Sequence, residues 1–430
     1  MLRTRWLRLL AITAVPALLL TACPAQEEEP APTDEPEDTE TPEEDDVTRG
    51  DGVLRLGYVL PESGDLAFLG PPMIRGVEYA VQQINDAGGV LGADIELEGA
   101  DEAGDTTVAS ESADRLLQAG VDAIIGAAAS GMSLAIIDQV TGAGVVQCSG
   151  SNTGPVFTDY DDGGYYFRTA PTDALQGPIL AETIVADGHQ RIALVARSDP
   201  YGEGLLEATS EALEEAGAEV VEEVLYNPDT ETFDAEVEQL TAADPDAVVV
   251  ISFEEGATLL AAMVEAGLGP ADIGVYGADG LASETLNETV QAGNPNVLDG
   301  MTGTRPAPGL DEDFESAFRE FAPDVEDMTF APQVFDCVTI IALAAIAADS
   351  DDPTVFVDEM INVTRDGQEC TTFTDCVELL EQGEDIDYQG PSGATTFTDA
   401  GEPEFGTYDV WGFRDGAFTV LESGIESRLE

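Results

Sequence analysis

From Val53 onward, short β-branched runs alternate with helix-length segments that carry apolar residues on one face. That rhythm predicts a doubly wound α/β body. Strands are expected at 54–59, 95–98, 123–126 and 144–147, with helices near 73–87, 107–119 and 133–141. A second series repeats the pattern, with strands at 191–196, 219–225, 247–252 and 274–276 and helices at 204–216, 233–242, 256–266 and 283–292. Two successive series of similar length imply two similar lobes rather than one large sheet. After about residue 303 the pattern changes to a long apolar helix, 332–348, and a shorter one, 353–363. The chain closes on β-like runs at 394–398, 408–413 and 418–421. A chain that completes one lobe, builds a second and returns must cross between them several times. Ligands in such architectures lie between the lobes, beyond the carboxyl ends of the strands.

The first 22 residues have the parts of an export signal. Arg3, Arg5 and Arg8 give a positive start, and residues 9–20 are apolar but too short to span a membrane comfortably. Leu20-Thr21-Ala22-Cys23 then resembles a lipobox, which implies cleavage before Cys23 and its lipidation as the first mature residue. The stretch 23–50 reads as a tether: residues 24–48 hold 12 acids, five prolines and no base. Such a segment has too little apolar area to collapse against its own repulsion and is expected to be extended and disordered.

Composition narrows the function classes. The 430 residues include 87 acids and 15 arginines, with no lysine, for a formal net charge of −72. The field repels nucleic acid and anionic lipid, so contact with the membrane is expected only through the lipid anchor. Without lysine there is no Walker-type phosphate loop and no Schiff base. A single histidine, His189, leaves almost no room for a zinc site or a hydrolytic triad, and no Gly-x-Ser-x-Gly elbow is present. The acids are spread along the body rather than clustered at ligand spacing, which favours a solvated acidic surface over a cation site. No metal or cofactor is expected.

Beyond Cys23 there are four cysteines, a count that fits an oxidising, extracytoplasmic compartment. Cys370 and Cys376 bracket a short polar loop and are the pair most easily closed. Cys148 and Cys337 stand in apolar contexts, where two buried thiols and a second disulfide are both open readings.

Several segments together resemble the leucine/isoleucine/valine-binding group of solute-binding lipoproteins that serve ATP-driven amino-acid importers. They are Leu56-Gly57-Tyr58-Val59-Leu60-Pro61 and Ile84-Asn85-Asp86-Ala87-Gly88-Gly89-Val90-Leu91-Gly92, then Phe167-Arg168-Thr169-Ala170-Pro171-Thr172-Asp173 with Gln176-Gly177. Tyr201-Gly202-Glu203-Gly204 and Tyr276-Gly277-Ala278-Asp279-Gly280 complete the set. The resemblance implies the type I periplasmic-binding-protein fold: two doubly wound α/β lobes joined by a multi-crossover hinge. On it, residues 51–171 and 305–388 would form lobe 1, and 172–304 and 389–430 lobe 2.

The resemblance also implies roles for particular residues. Ser130 at a helix start and Thr153 would donate to the carboxylate of an amino acid, where free N–H groups and the helix dipole favour an anion. The Asn152 carbonyl, Asp173 and Asp279 would receive its ammonium. Tyr201, Phe253 and Phe330 would line the side-chain pocket, with Leu69 where many relatives carry an aromatic. The leading expectation is an extracytoplasmic, lipid-anchored receptor that closes on an aliphatic amino acid and delivers it to an ABC permease and its ATPase. The alternatives are a sensor with the same fold, a receptor for amides, urea or aromatic acids, and, distantly, a secreted hydrolase.

Overall fold

Five parallel strands form the first sheet: β1 (Arg55–Leu60), β2 (Glu96–Asp101), β3 (Ala123–Gly126), β4 (Val146–Ser149) and β5 (Tyr166–Arg168). Their order is β2-β1-β3-β4-β5. The next five strands are β6 (Arg191–Arg197), β7 (Glu219–Tyr226), β8 (Ala247–Ile251), β9 (Gly274–Gly277) and β10 (Thr302–Pro306). They repeat that order as β7-β6-β8-β9-β10, again all parallel. Two short strands, β11 (Gln368–Cys370) and β12 (Ile386–Tyr388), pair with each other. An antiparallel hairpin, β13 (Phe405–Arg414) and β14 (Ala417–Arg428), then extends the second sheet beside β10.

This computed structural model describes residues 49–429 apart from 308, 310, 311, 326 and 394. The export signal, Cys23 and nearly all of the acidic tether lie outside the described residues.

Each sheet changes strand direction of growth at its first strand, so a crevice opens at the carboxyl ends of β1 and β3, and of β6 and β8. The chain passes between the sheets after β5, after β10 and again before β13. The strand β10 runs on through Pro306, because Arg305 and Pro306 pair with Asp409 and Tyr408 of β13. The helix Ala331–Ala347 returns to the first sheet and is buried almost all round, as its apolar sequence requires. It approaches the helix Gly70–Asp86 at Gly76, where a Cβ would sit 2.6 Å from the Ala331 carbonyl oxygen.

Both cysteine pairs are bonded. Cys370–Cys376 closes a six-residue separation beside β11. Cys148–Cys337 ties β4 to the returning helix across 189 residues of sequence.

The sequence places a helix after Asp173, with Asp173 as a candidate cap, and the structure has it as Asp173–Ala186 with Pro178 inside. Thr172 caps it by accepting from the Ala174 N–H, so Asp173 is its first residue and not its cap. Gly177 is needed for packing: a Cβ there would lie 2.7 Å from the backbone of Ala208 in the helix Pro200–Glu215. Conversely, the helix expected at 283–292 shrinks to Leu286–Val290.

Candidate functional site

Loops leaving the carboxyl ends of β1, β3, β4, β6, β8 and β9 converge on one small cavity. It has about 280 Å³ of empty volume, its mouth included. On the first-sheet side it is lined by Leu66, Leu69, Ala128, Ala129, Ser130, Ser151 and Thr153. Facing these are Tyr201, Phe253, Asp279 and Gly280, and Phe330 closes the wall.

One end is built to present donors. Ser130 opens the helix Ser130–Gly142, whose preceding residues are held firmly. The Ala127 carbonyl accepts from the hydroxyls of Ser133 and Ser149 and from the Asn152 side-chain amide. The Ala128 carbonyl accepts from the Ser151 hydroxyl and the same amide. The Ser130 hydroxyl receives the Gly154 N–H at 3.3 Å, which fastens the loop after β4 to the helix start. Behind this end lies Glu102, fully buried, accepting from the N–H groups of Ala128 at 2.6 Å and Ala129 at 3.3 Å. Burial pushes its carboxyl up to about 8.

The other end is acidic. Asp279 Oδ1 accepts from Gln176 Nε2 at 2.9 Å and from the Tyr201 hydroxyl at 3.1 Å. The Tyr201 oxygen in turn accepts the Gly280 N–H. Asp173 is completely buried, and apart from the neighbouring Thr153 hydroxyl its carboxylate has no hydrogen-bond partner. Desolvation and then the neighbouring Asp279 charge raise the Asp173 carboxyl well above its usual range, and the Thr153 hydroxyl offsets only part of this. Desolvation also pushes Asp279 up to about 6, against the opposing pull of its Gln176 and Tyr201 hydrogen bonds. Acidic character is thus concentrated at this end, with Asp279 facing the cavity and Asp173 buried behind it.

Between these ends the walls are apolar. Tyr201 and Phe253 stack with ring centroids 5.2 Å apart. The Arg197 guanidinium lies 3.6 Å from the Phe253 centroid and is itself held by Asp199 and Glu255. Phe330 takes a left-handed backbone conformation, φ 61°, as it caps the helix Ala331–Ala347. Among the described residues, no group of three or more His, Cys, Asp or Glu side chains is placed to hold a metal ion.

Of the residues singled out from the sequence, Leu69, Ser130, Thr153, Tyr201, Phe253, Asp279 and Phe330 line the cavity. Two do not. Asp173 lies buried beside Asp279, its N–H donating to the Thr153 carbonyl at 2.7 Å. Asn152 is also buried, with its carbonyl accepting from Arg168 at 3.2 Å, and Ser151 holds the lining position in that loop. Sequence reasoning missed Gln176, Ser151 and Glu102. Gln176 stands in a recognised motif, four residues after Thr172, but nothing in a sequence this rich in acids marks Glu102.

The model of a family described as periplasmic binding protein matches residues 53–400. The Leu/Ile/Val-binding protein homolog 3 of Brucella melitensis is 24% identical over 375 residues, covering 86% of this chain and 94% of that protein. Among solved structures, the branched-chain amino acid transporter substrate-binding protein LivJ of Streptococcus pneumoniae, in complex with isoleucine, superposes with a TM-score of 0.70. The match has 22% identity and covers 86% of this chain and 99% of that one. A solute-binding protein of an ABC transporter from R. palustris, in complex with benzoate, also gives 0.70, at 19% identity and 88% and 98% coverage. With the family model spanning most of its length and both lobes sharing one strand order, the chain belongs to the periplasmic binding protein family.

Proposed function

We propose that this protein is an extracytoplasmic receptor that closes its two lobes on a free amino acid with an aliphatic side chain and hands it to an ABC permease. The observation that carries the reading is a buried acidic pair, Asp279 facing the cavity and Asp173 behind it beside Thr153, across apolar walls from the Ser130 hydroxyl. A zwitterion matches that polarity: its ammonium would meet the acids, and its carboxylate the hydroxyls and the start of the helix Ser130–Gly142. Closure would follow because each lobe supplies part of the ligand's partners. The same arrangement supports binding rather than turnover: among the described residues, the Ser130 and Ser151 hydroxyls at the cavity are engaged by backbone groups and not by a side-chain base.

Because an ammonium pairs with ionised carboxylates, binding is coupled to protons. Below the value of about 6 assigned to Asp279, ligand must displace a proton. Apparent affinity should then fall by about tenfold per pH unit as the solution is acidified. Asp173, whose carboxyl is also raised by burial, should add to the proton release on binding. Titration of L-leucine in buffers of different ionisation enthalpy measures both effects. Uptake of protons, or affinity unchanged between pH 7 and pH 5, would contradict the assignment.

The Leu20-Thr21-Ala22-Cys23 segment supports anchoring through lipid on Cys23, with the acidic tether keeping the body off the membrane. Cys23→Ser is expected to move the protein from the membrane fraction to the soluble one. Retention of the processed variant on membranes would contradict lipid anchoring.

A further inference from the structure

We propose that Arg168, which lines no part of the cavity, is a positioning residue for the ligand carboxylate. The proposal rests on the amino-acid reading above. Arg168 is 1% exposed and ends β5, directly before the chain crosses between the lobes. Its Nη1 donates to the carbonyls of Asn152, at 3.2 Å, and of Gly154, at 2.8 Å, the two residues flanking Thr153. Its Nη2 donates to the Thr158 hydroxyl at 3.2 Å. Both Nη2 and Nε donate to Glu402, which is 2% exposed and 234 residues away. Glu402 also accepts from the Thr158 hydroxyl at 3.1 Å, and the neighbouring Gly401 carbonyl takes the Arg168 N–H at 3.0 Å.

The planar guanidinium therefore clamps both shoulders of Thr153 and is itself held by the last crossover. The start of the loop of residues 151–154 is also held by Ser149 and by the Ser151 and Asn152 side chains on the Ala127 and Ala128 carbonyls. Besides Arg168, Thr153 and Gly154 have the Asp173 N–H on the Thr153 carbonyl and the Ser130 hydroxyl on the Gly154 N–H. Five donors in one plane set the loop's orientation in a way that a flexible ammonium cannot. The clamp fixes where Thr153 presents itself to the cavity, while the acidic end at Asp279 stands on the other lobe and is not bound by it. Arg168 should therefore act mainly on the carboxylate end, through Thr153, and comparison of two ligands separates this from any effect of its charge on the buried Asp173.

The test compares L-leucine with L-leucinamide, which keeps the ammonium and side chain but replaces the carboxylate with a neutral amide. The wild type should prefer leucine. In Arg168→Met, folded by circular dichroism and assayed below its melting point, leucine affinity should fall by about tenfold or more. Leucinamide affinity should change by less than about threefold, so that the preference collapses. Glu402→Gln keeps the shape and the guanidinium but loosens its hold, and should reduce the preference by roughly two- to fivefold. It carries the test alone if the methionine variant does not fold. Equal losses for both ligands, or an unchanged preference in Glu402→Gln with Arg168→Met unfolded, would reduce Arg168 to a merely structural residue and overturn the proposal. A wild type that binds leucinamide as tightly as leucine would instead overturn the amino-acid reading, and the proposal with it.

Discussion

Replacing Asp279 by alanine is expected to weaken amino-acid binding by about thirtyfold to several thousandfold, the equivalent of roughly 2–5 kcal/mol for one partner of a buried charge pair. Asp173→Asn should fall in the same range, since it removes charge at the same end without changing volume. The two variants should part in stability. Asp173 is a buried carboxyl group with little to compensate its charge besides the Thr153 hydroxyl, so its neutralisation removes a cost of folding. Asp279 holds Gln176 and Tyr201, which its loss would leave without their acceptor. The ligand-free melting point should therefore rise or hold in Asp173→Asn and fall in Asp279→Ala.

The sign of the pH dependence follows from the same burial. Asp279 ionises near 3.8 in the unfolded chain and near 6 in the folded one, so folding favours its protonated form. As pH rises from about 4 to about 6, that contribution to stability is lost. Differential scanning fluorimetry of both variants across this window, with and without leucine, reads both effects. Near wild-type affinity in both acid variants would rule out ammonium recognition.

The second large effect concerns folding. Cys148→Ala with Cys337→Ala opens a link across 189 residues, worth roughly 5 kcal/mol by the entropy it removes from the unfolded chain. Removing Cys370–Cys376, which spans six residues, should cost only about 2 kcal/mol on the same argument. Denaturant unfolding without reductant would rank the two. The first pair should also affect binding, because it joins the strand that leads to Ser151 and Thr153 to the helix capped by Phe330. Equal stability losses in the two double variants would mean that native packing, and not loop closure, sets these contributions.

Much of this arrangement is legible in the sequence where one local rule decides. The β-branched runs at 123–126 and 247–251 are strands because both faces of each sheet are covered, so nothing polar interrupts them. Ser130, Tyr201, Phe253 and Asp279 stand just beyond strand ends, the places where a doubly wound fold puts ligands. What was not legible depends on distant partners. The glycine at 177 within the helix Asp173–Ala186 makes sense only against Ala208. The role of Asn152 turned on Arg168, and that of Arg168 on Glu402. No pattern within either neighbourhood announces a pair separated by 234 residues. Cys148 and Cys337 posed the same difficulty, since apolar surroundings suit a thiol as well as a disulfide.

The claim at the centre of this account is that one cavity reads both charged ends of an amino acid. The most direct measurement is calorimetric titration of the wild-type protein with L-leucine, with 4-methylpentanoate, which lacks the ammonium, and with 3-methylbutylamine, which lacks the carboxylate. Leucine should bind, and each truncated ligand should bind at least about a hundredfold more weakly, because each leaves one buried polar end unpaired. Binding of 4-methylpentanoate as tight as that of leucine would contradict it, since Asp173 and Asp279 would then have no ligand charge to meet.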